Sequence, residues 1–145
     1  MFEFYLWLMV DDGPQHHWEP MQFTEDEEEF WREDAWRDAR PERLRKKLEQ
    51  ACEQTGLRFE NFTLRGTHGG TIANAAFAQN HPMSAGIERR FLEAVAARAP
   101  SSYGVIYTLN TDTAEPRGEF DVLKLANGKV TQSRELLVHP SGKTA

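Results

Sequence analysis

At the start of the chain Phe2, Phe4, Leu6, Leu8 and Val10 alternate with Glu3, Tyr5, Trp7 and Met9. A period of two predicts a β-strand whose successive side chains point to opposite faces. One face is aliphatic and the other aromatic, so the strand is expected to be central or covered on both sides. Asp11-Asp12-Gly13-Pro14 ends it with turn chemistry. Residues 15–22 show no period and read as loop. A first helix is predicted from Glu25 to Asp38. Thr24 is its N-cap, Glu27 completes a capping box, and Phe23, Phe30, Trp31 and Ala35 fall on one side. Trp36 points nearly the other way. Pro41 suits the first turn of a second helix, whose apolar stripe is Leu44, Leu48, Ala51 and Cys52 and whose stop is Gly56.

A second strand is predicted over Leu57–Arg65, followed by the flexible Gly66-Thr67-His68-Gly69-Gly70. From Thr71 to Gln79 the pattern does not settle between strand and helix. Pro82 and Ser84 announce a further helix, with Ile87, Phe91, Leu92 and Val95 facing inward, that stops at Ala99 before Pro100. Strands are predicted over Tyr103–Leu109 and Glu119–Leu125, and Asn127-Gly128 turns the chain into Val130. The order is β, two helices, β, helix, then β and β, with a further β after the Asn127-Gly128 turn left open. It predicts an α+β fold, a mostly antiparallel sheet with helices packed on it in a single pair of layers. Residues 1–138 are expected as one domain and 139–145 as a loose tail.

A length of 145 residues suits one domain that buries roughly 70% of its unfolded surface, with no need of a disulfide or metal staple. The single Cys52 cannot form an internal bridge, which points to a reducing compartment. The apolar stretch Phe4–Val10 is too short for a membrane span and lacks the basic flank of a signal peptide. A cytoplasmic location is the expectation. The net charge of −6, from 23 acidic and 17 basic residues, disfavours nucleic acid and anionic membranes as partners; it either favours basic partners or simply keeps a small protein in solution.

The chain offers little to catalysis. His16 and His17 are adjacent and diverge on extended chain, His68 and His81 lie in separate loops, and no pair has zinc-ligand spacing. No metal and no cofactor is expected. Ser84, Ser101, Ser102 and Cys52 lack the local signatures of a nucleophile, and Ser101 and Ser102 read as the turn that feeds Tyr103 into its strand. Gly66, Gly69 and Gly70 lack the following Lys-Ser/Thr of a phosphate loop. Glu60, Glu119 and Asp121 read as solvated strand positions. Trp7, Tyr103 and Tyr107 lie on strands, where core packing is their default.

Pro100-Ser-Ser-Tyr-Gly-Val-Ile-Tyr, followed after a polar loop by Glu119-Phe-Asp-Val-Leu-Lys-Leu-Ala-Asn-Gly-Lys-Val, resembles the C-terminal hairpin of the immunity protein 7 family. Phe2-Glu3-Phe4 with Trp7, and Phe62-Thr-Leu-Arg-Gly-Thr-His, are similar to that family's other landmarks. The resemblance implies a small non-catalytic protein that neutralises a cognate toxin of a bacterial polymorphic toxin system. Many such toxins are nucleases, whose substrate grooves must be positive. The run Glu25, Asp26, Glu27, Glu28 and Glu29, with Glu33 and Asp34 beyond it, is then either a solvated helix start or a phosphate mimic for such a groove. Trp36 is either its desolvated anchor or a core residue of a helix that starts elsewhere or bends. Trp18 is a weaker anchor, and the loops around Trp18, His68 and Asp112 are the fallback interface. Two rival readings remain: a small ligand-binding domain or enzyme with a pocket around His68 and Tyr103, and a structural subunit with a large apolar patch.

Overall fold

The computed structural model describes residues 1–13, 39–67, 69–79, 86–111 and 118–136. Strand β1 (Phe2–Val10) opens the chain, and helix α1 (Arg40–Thr55) follows. A short 3-10 turn at Phe59–Asn61 leads into β2 (Phe62–Thr67) and β3 (Gly70–Gln79). Helix α2 (Ile87–Arg98) then precedes β4 (Tyr103–Asn110), β5 (Glu119–Ala126) and β6 (Lys129–Leu136). The strands form one antiparallel sheet in the order β2-β3-β1-β4-β5-β6. The fold is α+β, as the sequence pattern predicts. The helix predicted over Glu25–Asp38 and the tail over 139–145 lie outside the described residues.

β1 is central, between β3 and β4, because its even-numbered residues are apolar enough to be buried under helices. Phe4, Leu6, Leu8 and Val10 are all buried. Leu44, Leu48, Ala51 and Cys52 of α1 and Phe91, Leu92, Ala94 and Val95 of α2 form one cluster with Leu6, Leu8 and Val10 and with Ala73, Ala75, Ile106 and Leu125 from neighbouring strands. Each large side chain among these contributes roughly 1.5–3 kcal/mol by leaving water. Phe62 of β2 meets Phe91 of α2 with ring centroids 5.7 Å apart. Phe4 stacks on Phe77 at 5.1 Å. Gly104 lets β4 approach β1, since a Cβ there would overlap the Trp7 carbonyl oxygen.

Helix α1 starts with Pro41 in its first turn and stops at Gly56, which adopts a left-handed φ of 84°. Asn127 and Gly128 both take positive φ, 52° and 73°, so the β5–β6 hairpin turns in the mirror-image geometry that matches strand twist. Two boundaries depart from the sequence pattern, and one open stretch is settled. The strand expected from Leu57 begins only at Phe62, because Phe59–Asn61 coil into a 3-10 turn with Arg45 of α1 lying over the Phe59 ring, 6.0 Å from its centroid. Gly66 and Thr67, expected as flexible, pair with Thr71 and Gly70 at a tight hairpin end. The ambiguous Thr71–Gln79 is a strand, with Ala73 and Ala75 against the core and Asn74 and Ala76 exposed.

Candidate functional site

The end of β1 is tied to three other segments. The Ser102 hydroxyl accepts a hydrogen bond from the Asp11 backbone N–H at 3.0 Å, and the Ser101 hydroxyl donates to the Gly13 carbonyl at 2.7 Å. These contacts assign the two serines to the turn before β4, as expected. Arg40 donates to the Asp11 carboxylate at 2.8 Å and to the Gly69 carbonyl at 3.0 Å, which joins α1 to the β2–β3 turn. Asp12 accepts from Arg43 Nε at 2.5 Å and from Lys47 Nζ at 2.9 Å, and its side chain is only 3% exposed. Burial pushes its carboxyl pKa up, but the hydrogen bonds and charges of Arg43 and Lys47 outweigh that and hold it below the usual carboxylate value. This cluster fixes the point where the chain leaves the sheet at Gly13.

The second feature is the sheet face turned away from both described helices. Antiparallel register places Ala76, Tyr5, Tyr107, Val122 and Ser133 in one row across the strands. The next row holds Thr63, Asn74, Trp7, Val105, Lys124 and Thr131. Glu3 opposite Leu109 and Ala78, and Met9 opposite Tyr103 and Ile72, flank these rows. Tyr5, Trp7, Tyr103 and Tyr107 are between 37% and 48% exposed. Trp7 and Tyr103 meet diagonally, ring centroids 5.7 Å apart, and Tyr107 meets Phe120 edge-on at 5.6 Å. Val122 is buried beside the second pair. The Tyr5 hydroxyl donates to Glu3 Oε2 at 3.2 Å, and this bond and the Glu3 charge raise its pKa.

Between β1 and the β2 edge this face dips into a shallow concavity of about 480 Å³. Tyr5, Trp7 and Tyr107 line it on one side and Asn61, Thr63 and Asn74 on the other, with the small Ala76 between. None of these side chains is charged.

The expectation that Trp7, Tyr103 and Tyr107 are core residues is therefore corrected. The strand is central, but its aromatic face is open rather than covered. Tyrosine itself was the legible signal: a face that alternates Glu3, Tyr5 and Trp7 carries polar atoms that a core must satisfy and a surface need not. Tyr103 stands on this open face, away from the core, and the concavity is not lined by it. Trp18, Glu25, Asp26, Glu27, Glu28, Glu29, Glu33, Asp34, Trp36, His68 and Asp112 lie outside the described residues.

Among the described residues the groups tested for chemistry do not converge, while His16, His17, His68, His81 and Ser84 lie outside them. Glu119 and Asp121 both pair with Arg134, at 3.7 and 3.3 Å, while the exposed Glu60 lies near Arg58. Cys52 is buried, and desolvation, with lesser help from Glu49 and Glu53, pushes its thiol up to about 12. Among the described residues no three His, Cys, Asp or Glu side chains are grouped to hold a metal. No described helix is long and apolar enough to cross a membrane. What this arrangement offers is a surface.

Comparison with curated proteins and with solved structures returned no match. The sequence profile of immunity protein 7, by contrast, matches residues 1–143, essentially the whole chain, which belongs to the immunity protein 7 family.

Proposed function

We propose that this immunity protein binds a cognate nuclease-type toxin in the cytoplasm and blocks it by occlusion, without catalysis of its own. Family membership implies an immunity protein whose partner is a toxin protein. The distribution of charge carries the finer reading. Nine of the 23 acidic residues but only Arg32 and Arg37 of the 17 basic ones fall between positions 14 and 38. Fourteen acidic and fifteen basic residues remain elsewhere, so this one segment supplies the whole negative balance. It begins directly after Gly13, the point that Asp11, Asp12 and Ser101 anchor. A concentrated negative segment suits a groove built to hold phosphates.

Glu25, Asp26, Glu27, Glu28, Glu29, Glu33 and Asp34 are the carboxylates assigned to that groove, with Trp36 as the anchor. Charges at a rim act on encounter, whereas a desolvated aromatic acts on release. Replacing Glu27, Glu28 and Glu29 together with Gln removes three charges at similar helix propensity. The association rate should fall several-fold at low salt and its salt dependence should flatten. Trp36→Ala should raise the dissociation rate by an amount on the order of 2 kcal/mol, with the melting temperature retained. Unchanged kinetics and salt response in the triple variant would remove the acidic run from the interface.

A further inference from the structure

We propose that the open face of the sheet is a further docking surface for the toxin, in addition to the acidic segment, centred on Tyr5, Trp7 and Tyr107 and the concavity beside them. This rests on the reading of the chain as a toxin-binding protein.

Among the described residues, the large apolar side chains more than a third exposed are Met1, Leu136 and four aromatics, and all four aromatics stand on this one face. Tyrosine and tryptophan are the side chains that most often dominate binding energy, since they bury much area with few rotors to freeze. The size of the face also fits a folded partner. Six strands leave five gaps of roughly 4.8 Å and average about 27 Å in length, which gives on the order of 650 Å² before side-chain relief. A stable interface takes about 800 Å² from each partner.

The chemistry selects the occupant. Permanent self-association favours aliphatic surfaces resembling a split core. Here the phenol hydroxyls, Asn61, Thr63, Asn74 and Glu3 keep the face wettable, as suits a protein that must also exist alone. Electron-rich rings of Tyr5, Trp7 and Tyr107 on one wall and neutral amide and hydroxyl groups on the other suit a guanidinium or ammonium group. The net charge of −6 is carried by positions 14–38 and speeds encounter with a basic partner, while the rings of the concavity supply the local attraction on this face. The occupant is therefore a basic surface of the toxin domain that inserts an arginine or lysine into the concavity.

The test uses the full chain and a catalytically inactive form of the toxin domain encoded beside it, with binding kinetics followed by surface plasmon resonance. Ala76 is exposed, so Ala76→Arg fits the folded protein while filling the concavity with bulk and positive charge. It should speed dissociation about 30-fold, and Tyr5→Ala about 10-fold, both with melting temperatures near that of the parent. Glu93→Ala, on the exposed side of α2, should change nothing. If Ala76→Arg does not fold, Tyr5→Ala alone decides. Parent-like kinetics in the folded variants would overturn this docking surface and leave toxin binding standing. Failure of the parent protein to bind would overturn both. A homodimer of the parent that Ala76→Arg splits would assign the face to a second copy and overturn the proposal as well.

Discussion

Asp12→Asn is a small change with a large expected cost. The carboxylate is almost wholly buried and receives hydrogen bonds from Arg43 at 2.5 and 3.2 Å and from Lys47 at 2.9 Å. Hydrogen bonds to a charged group contribute roughly 1.5–3 kcal/mol each. Arg43 and Lys47 keep 22% and 30% of their side chains in water, so both regain solvation once the charge is gone. The net loss should be about 2–3 kcal/mol, a drop of roughly 5–10 °C in melting temperature for a domain of this size. The pH dependence has a definite sign. A carboxyl whose folded pKa lies below its unfolded value contributes stability above the unfolded value, roughly pH 4, and that contribution is lost as pH falls through the folded one. Urea unfolding of parent and variant at neutral pH should therefore differ by the full amount, and the gap should close as pH falls below 4. Equal stability at neutral pH, or a gap that persists in acid, would refute the assignment of Asp12 as the electrostatic clamp between β1 and α1.

Gly104→Ala places a methyl group against the Trp7 carbonyl oxygen and the Leu8 backbone. Strand β4 would have to move off β1, and the variant should be insoluble or lose more than about 3 kcal/mol in urea unfolding. Cys52 is buried and its thiol is pushed up to about 12, so a thiol reagent at pH 8 should leave the native protein unlabelled for an hour and titrate one group after unfolding. Rapid native labelling would contradict the packing of α1. Leu48→Ala empties a site at the centre of the core and should cost about 3 kcal/mol by the same unfolding assay, with a smaller cost refuting the close contact of α1 with the sheet.

Most of the fold was legible because local signals agreed with one another. β1 and α1 were marked by clean periods of two and 3.6 and by turn or cap residues at their ends. α2 was equally plain, and Asn127-Gly128 marked the turn after β5, although the strand that follows it, β6, was left open because Lys129–Leu136 is largely polar. β3 was ambiguous because Ala73, Ala75, Ala76 and Ala78 carry little hydrophobic contrast, and only pairing to β1 and β2 decides the matter. Phe59–Asn61 was misread as strand because the aromatic that looked like a strand position is held by α1 through Arg45. The open face was missed for a different reason. Periodicity divides a strand into two faces but does not say which of them the helices cover. Tyr5, Trp7, Tyr103 and Tyr107 look like core to any rule that counts aromatic rings as hydrophobic. Register then gathers four scattered aromatics from two strands into one surface, and register is a property of the whole sheet.

The most direct measurement is a titration of this protein into an active cognate toxin domain, with the nuclease activity proposed for that toxin followed. Binding by occlusion predicts that activity falls linearly and is abolished at about one equivalent, while an unrelated toxin of the same chemistry keeps its activity. Full toxin activity in the presence of excess folded immunity protein would contradict neutralisation by binding.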